Sequence, residues 1–331
     1  MREGKSESGV GVVIPVYNRP NTIVETLGYV FAQTVQPTRL VVVDDGSTDN
    51  TADHVESWLQ QMDPKFEWMV LRNAKSTAAD ARNSGFEHVR HLPYVTFLDS
   101  DDHWPCDFIE RTSGLLELHH DLVAVMTDME CPSTASEVVE PKRGAGMASD
   151  PILWLFVHGA AIASCTMLRT EACIAAGGWP RGQQSSEDMI LFTRVALCGP
   201  WGFAAGAPVI YHFGQPKHHN EEGNLSRSNK NAELYWCRNL EDMFQLVCAE
   251  RPSIKQRPLR RIVGDRWRQA GRFQRSNGNY ECAKQCFAYS IRWAPFSYDS
   301  WRRWFKMCRK TKTFFKARKP VAMSLVDTQP R

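Results

Sequence analysis

Two acidic clusters dominate the chemistry legible in this sequence: Asp44-Asp45-Gly46-Ser47-Thr48-Asp49 and Asp99-Ser100-Asp101-Asp102. Carboxylate oxygens are the hard ligands that Mg²⁺ and Mn²⁺ prefer. Converging carboxylates at Asp99, Asp101 and Asp102 repel one another without a cation, so a divalent ion together with a diphosphate is the partner such a cluster asks for. The same residues also suit tight turns closed by Asx hydrogen bonds. A third acidic pair, Glu187-Asp188, opens a segment in which Asp188, Leu191, Phe192 and Val195 recur at helical spacing. That stripe turns the Asp188 carboxylate toward the protein. An acid in a first helical turn also complements the helix dipole, which accounts for an acid at 187 or 188 but not for its inward direction.

The elements that must carry these groups follow from the apolar periodicity. Residues 10–16 (VGVVIPV) and 39–43 (RLVVV) are continuous apolar runs, separated by an amphipathic stretch at 21–33. Further strands are predicted at 67–71 and 94–98, with a helix at 77–90 between them. Runs that do not alternate indicate strands covered on both faces, and crossovers of a dozen residues indicate parallel pairing. The first hundred residues thus read as a doubly wound α/β sheet, in which ligands bind beyond the carboxyl ends of the strands. Both acidic clusters sit at such ends. No G-x-G-x-x-G follows the first strand and no G-x-x-x-x-G-K-[ST] occurs, which argues against dinucleotide and P-loop folds. Beyond, strands are predicted at 122–127, 160–168 and 208–211, and loops at 131–150 and 215–231. A helix capped by Ser185 or Ser186 is predicted to reach about residue 197, and the pattern is helical from 232 onward.

Composition narrows the class. Of 331 residues, 43% are hydrophobic and 23% charged, typical of a folded globular chain. The ten cysteines form no C-x-x-C pair, and the first eight residues are too polar for a secretory signal, so reduced thiols and a cytoplasmic location are expected. No uninterrupted apolar run of about 20 residues predicts a spanning helix. The net charge of +3 conceals a division: residues 251–331 hold 21 Lys and Arg against four Asp and Glu, whereas the rest holds 19 against 33. An acidic body therefore carries a basic tail. One echo of a tetratricopeptide helix at 278–295 lacks the further units that a repeat array needs, so a helical appendage is expected.

In order and spacing, VVIPVYNRP (12–20), VVVDDGSTDNT (41–51), ARNSG (81–85), FLDSDD (97–102), GGWP (177–180) and SSEDMILFTRVALCG (185–199) resemble inverting glycosyltransferase family 2. The likeness covers about residues 10–212. It implies a GT-A type doubly wound mixed sheet, with a catalytic domain at 1–230 and a basic helical extension at 231–331. It also implies that Pro15, Tyr17 and Asp45 line the nucleoside pocket, that Arg82 lies near the phosphates, and that Asp99 and Asp101, with Asp102 beside them, hold the ribose and a Mn²⁺ or Mg²⁺ ion. Asp188 is implied as general base, with Glu187 and Arg194 in support. The implied reaction transfers a sugar from a nucleoside diphosphate sugar, a UDP-sugar, to a hydroxyl of a glycan, lipid-linked or protein acceptor, in cell-surface or secreted glycan biosynthesis.

The sequence departs from that pattern in NAKSTAADARN (73–83), which lacks the usual glycine turn, and after the catalytic helix, where His212, His218 or His219 could touch metal or diphosphate. Two other readings compete. A nucleotidyltransferase requires a triphosphate loop of Gly and Lys after the first strand, which residues 15–22 do not contain; a non-catalytic nucleotide-binding module has no need of acids at 99, 101 and 188. The tail, with Trp267, Trp293, Trp301 and Trp304, has the composition of a surface for anionic membranes, at the inner face, or of helices packed on the acidic body. Nucleic acid is not expected.

Overall fold

The computed structural model describes residues 9–131, 143–159, 162–183, 187–212 and 232–311. Strand β1 (Val10–Val16) is followed by helix α1 (Pro20–Phe31), β2 (Arg39–Asp44), α2 (Thr51–Met62), β3 (Glu67–Arg72), α3 (Ala78–Phe86) and β4 (Tyr94–Phe97). The valines and isoleucine of β1 are fully or almost fully buried, as a strand covered by helices on both faces requires. β1 pairs in parallel with β2, through Val13 and Val41, and with β4, through Val13 and Phe97; β2 pairs in parallel with β3.

Beyond β4 come α4 (Phe108–Leu118), β5 (Ala124–Met126), β6 (Met129–Glu130), α5 (Gly144–Ser149), α6 (Pro151–His158), β7 (Thr166–Arg169), α7 (Thr170–Ala175), α8 (Glu187–Cys198), β8 (Trp201–Phe203) and β9 (Val209–Ile210). The main sheet has the order β3-β2-β1-β4-β7-β5-β8, and β6 and β9 form a small parallel pair. β7 runs antiparallel to both β4 and β5, so the sheet is mixed. The strand predicted at 160–168 starts only at Thr166, because Ala163–Cys165 form a 3₁₀ turn.

Winding from β1 to β3 goes one way and β4 returns to the other side of β1, so the order reverses between β1 and β4. That reversal leaves a crevice at their carboxyl ends. An edge-to-face ladder supports it from below: Phe97 on Trp179 (centroids 5.0 Å), Trp179 on Phe192 (5.9 Å) and Phe192 on Trp201 (6.0 Å), all buried.

The chain divides into two compact units after Leu259. Helix α9 (Ala232–Glu250), expected to open the C-terminal region, belongs to the first unit. Its neighbour Arg251 donates to the carbonyls of Ala196 and Leu197 at 3.2 and 3.3 Å, which are orphan acceptors at the end of α8. Gln183 donates to Asn239 at 3.0 Å. The break therefore lies nearer the onset of the basic composition at 251 than the onset of helical pattern at 231.

The second unit comprises most of α10 (Gln256–Ser276) with α11 (Tyr280–Trp293) and α12 (Tyr298–Lys310). Ala283, Phe287 and Met307 form its core, with Tyr280 and Trp304 against it. A Cβ on Gly271 would stand 2.7 Å from the Phe287 ring, so the missing side chain lets α10 and α11 approach closely. Among the described residues no helix is long and apolar enough to cross a membrane.

Candidate active site

The exits of β1 and β2 are tied into one wall. Asn18, at φ 50°, donates its N–H to Ser47 Oγ (2.9 Å) and accepts from Thr48 N–H (2.9 Å), and Arg19 N–H donates to Thr51 Oγ1 (3.0 Å). Half-buried Pro15 and Tyr17 stand on this wall beside Asp45, which is only 4% exposed. The Asp45 carboxylate is held from the third strand exit: Lys75 Nζ lies 2.9 Å from Oδ2, and Ser76 donates to Oδ1 from its N–H (3.0 Å) and its hydroxyl (2.6 Å). Lys75 also caps the Tyr17 ring, 3.5 Å from its centroid. Gly46 makes this approach possible. Its φ is +77°, and a Cβ there would stand 2.5 Å from Lys75 N. The segment that departs from the family pattern thus supplies Lys75 and Ser76 to this wall, a pairing with no local sequence signal.

The exit of β4 carries the second cluster. Asp101 pairs with Arg19 at 3.0 Å, and the same guanidinium donates to Ser100 Oγ at 3.1 Å. Ser164 Oγ accepts from Asp99 N–H (3.1 Å) and donates to Asp102 (2.5 Å), whose other oxygen accepts His212 N–H (3.1 Å). The expected convergence of three acids on a metal does not appear: among the described residues no three His, Cys, Asp or Glu side chains share a metal position. Asp102 is 3% exposed and turned inward, where it ties the cluster to residue 212. Burial raises its carboxyl well above the usual range, reinforced by the neighbouring charges of Asp101 and Asp99. Its turned-in position reflects the hydroxyl and amide donors waiting there.

Arg82 reaches across the crevice. One of its amino groups lies 2.5 Å from Asp99 Oδ1 and the other 2.7 Å from Glu187 Oε1, while the guanidinium carbon sits 4.4 Å from the Trp179 ring centroid. At 5% exposure it is no surface helix charge. Burial opposes its charge, but Asp99 and Glu187 outweigh that penalty and raise its pKa. The next residue, Asn83, accepts from Trp179 N–H (3.0 Å) and donates to Trp179 O (2.9 Å), holding the Gly177-Gly178-Trp179 turn against α3. The ARNSG, FLDSDD, GGWP and Glu-Asp motifs are thereby joined through two adjacent side chains of α3.

Asp188 is 7% exposed in the first turn of α8, with one oxygen accepting Met189 N–H at 2.9 Å. The stripe of Leu191, Phe192 and Val195 is buried as expected, but Met189, Ile190 and Thr193 are buried too. Packing around the whole helix, and not one stripe, encloses the acid. Arg194 points to the carbonyl of Ala176 (3.5 Å), behind the glycine turn. The His212 ring lies tilted against His103 (centroids 4.4 Å), and His103 stacks on Tyr29 (4.3 Å). His218, His219, Ser185 and Ser186 lie outside the described residues.

The donor set fits a divalent cation in one form only. Asp99, 37% exposed, and Asp101, 15% exposed, offer hard carboxylate oxygens at the mouth of the crevice. A site built on those two needs further oxygens from a ligand, as a diphosphate provides.

The family model for glycosyl transferase family 2 matches residues 11–173. The succinoglycan biosynthesis protein ExoW of Rhizobium meliloti is 35% identical over 232 residues, covering 61% of this chain and 70% of ExoW. Against three further curated bacterial glycosyltransferases the chain spans only 30% of their length. Among solved structures, Staphylococcus aureus TarS 1–349 in complex with UDP-GlcNAc superposes with a TM-score of 0.64 at 16% identity, over 93% of each chain. The mannosyltransferase PcManGT from Pyrobaculum calidifontis, in complex with GDP-Man and Mn²⁺, does so at 0.52 and 17% identity, over 92% of this chain and 80% of its own. These likenesses show the GT-A type fold. With the family's motifs gathered at the switch point of that fold, and with identity at this level across most of ExoW, the chain belongs to glycosyltransferase family 2.

Proposed function

We propose that the chain transfers a sugar from a nucleoside diphosphate sugar, a UDP-sugar, to a hydroxyl of a glycan, lipid-linked or protein acceptor, with inversion at the anomeric carbon. The observation that carries this reading is Arg82, which holds the first acid of the D-x-D and the acid next to Asp188 on one buried cation. Donor and base motifs, far apart in sequence, thereby share one crevice. The TarS complex with UDP-GlcNAc supports the donor class, and the PcManGT complex supports a metal, for those proteins.

In this mechanism Tyr17 and Pro15 flank the base while Asp45, aligned by Lys75 and Ser76, accepts its N–H. Asp99 and Asp101 would hold Mn²⁺ or Mg²⁺ together with the donor's diphosphate oxygens; the ion supplies neutralisation of the charge that develops on the departing diphosphate. Arg82 fixes Asp99 and adds a permanent positive charge behind it. Asp188 takes the proton from the acceptor hydroxyl as that oxygen attacks from the side opposite the diphosphate. Glu187 and Arg194 support α8. Glycan assembly in the cytoplasm suits the ten free cysteines, which belong in a reducing compartment.

The test is donor binding and hydrolysis. UDP-glucose, UDP-GlcNAc and GDP-mannose are screened for thermal stabilisation with Mn²⁺ and with EDTA. Stabilisation by a UDP-sugar that needs Mn²⁺ and vanishes in Asp101→Ala is expected. Full activity of Asp101→Ala, or of the wild type in EDTA, removes the metal role; no response to any nucleotide sugar overturns the donor reading.

A further inference from the structure

The aromatic residues of α12 divide between two faces. Trp304 and Met307 turn inward toward Ala283 and Phe287, and Cys308 is buried. Tyr298, Trp301 and Phe305 turn outward, with exposures of 79%, 38% and 47%, and Phe296 in the preceding turn is 97% exposed. Trp301 stacks on Phe305 at 6.0 Å and donates its indole N–H to Pro295 O at 2.8 Å, so the outward aromatics are held in place. On the helical wheel Arg302, Lys306 and Arg309 continue this face, and all three are exposed.

Although Arg302 lies near enough to Asp299 to share in lowering its pKa, those cations have no acid of their own within the second unit. Its three described acids are already engaged: Asp265 by Arg268 (3.0 Å), Glu281 by Lys284 (2.7 Å) and Asp299 by Arg303 (2.7 Å). Arg302, Lys306 and Arg309 form no ion pair among the described residues. An ordered aromatic strip bordered by exposed cations is complementary to a surface that is anionic outside and apolar beneath. Duplex nucleic acid satisfies the charge but keeps its bases stacked on one another, and so offers no apolar layer for Phe296 and Tyr298.

We propose that the outward face of α12, with the Phe296 turn, docks on an anionic lipid bilayer. This stands independently of the donor reading. Each cation near an anionic surface contributes about a fivefold gain in partitioning, and screening shortens its reach from about 10 Å at 0.1 M salt to about 3 Å at 1 M.

Co-sedimentation of the full chain with vesicles of phosphatidylglycerol and phosphatidylcholine, against pure phosphatidylcholine, tests it. Pelleting with the anionic vesicles at low salt, lost at high salt, is expected. Trp301→Ser with Phe305→Ser should weaken it about tenfold, and Arg302→Glu with Lys306→Glu and Arg309→Glu about a hundredfold, as three fivefold contributions multiply. Circular dichroism and soluble donor hydrolysis report whether each variant is folded. If the triple variant misfolds, Lys306→Glu with Arg309→Glu replaces it, since both side chains are exposed. No pelleting with anionic vesicles, undiminished pelleting in both folded variants, or tighter binding to duplex DNA than to anionic vesicles at the same salt would overturn the proposal.

Discussion

Arg82 shows how much a single side chain carries. Its guanidinium neutralises Asp99 and Glu187 at once, and removing it leaves Glu187 enclosed without a partner. Arg82→Met should destabilise the chain by about 3 kcal/mol, the low end for a broken buried pair because Asp99 is partly exposed; urea denaturation measures it. Asp188→Asn preserves size and helix position but not basicity. Donor binding should persist while transfer falls by about 10²–10⁴-fold, and steady-state kinetics against intact donor affinity check this. Cys282 offers an unrelated probe. The hydrogen bond from Cys286, one turn away, outweighs burial and lowers its thiol to about 7, below the ordinary 9.0. Its alkylation rate should therefore climb through pH 7 and level off above it. In Cys286→Ala the inflection should move up toward the ordinary thiol value, as mass spectrometry of the modified peptide reports.

At the scale of elements, strand exits are assembled by close approaches that admit no extra atoms. The β2 exit meets the segment before α3 at Gly46, where positive φ and the nearby Lys75 backbone both exclude a side chain. Gly46→Ala should cost about 1–3 kcal/mol in stability and weaken UDP binding more than proportionally, because it displaces Lys75 and Ser76 from Asp45. Calorimetry of both quantities separates the two effects. The ladder beneath β4 is the other support. Trp179→Ala removes a ring packed between Phe97 and Phe192 and under Arg82, so a loss of about 3–5 kcal/mol is expected from its cavity, with hydrolysis falling alongside.

For the whole molecule, the division after Leu259 separates the unit that carries the candidate site from basic helices whose acids are internally paired. A ligand that binds only the folded form of the first unit stabilises it by mass action. At a hundredfold excess over Kd, UDP with Mn²⁺ should contribute about 2.7 kcal/mol, and the same UDP with EDTA much less. Scanning calorimetry at several UDP concentrations distinguishes that response from nonspecific effects of the ion.

Apolar runs, their spacing and the acids at their ends were legible without coordinates, because strand burial and turn chemistry are local properties of residue type. The four parallel strands and the strand-end position of Asp45 and Asp99 follow from such patterns, and the stripe on α8 gave the inward direction of Asp188 but not the all-round packing that encloses it. What tertiary structure alone decided are partnerships across long stretches of chain: Lys75 with Asp45 and Tyr17, Asp102 with Ser164 and residue 212, and Arg82 between Asp99 and Glu187. The same holds for the outward turn of Trp301 and Phe305 and the inward turn of Trp304. Residue type states that a charge or ring needs a partner; only the packing of distant elements determines which partner it meets and which groups are left facing the crevice or the solvent.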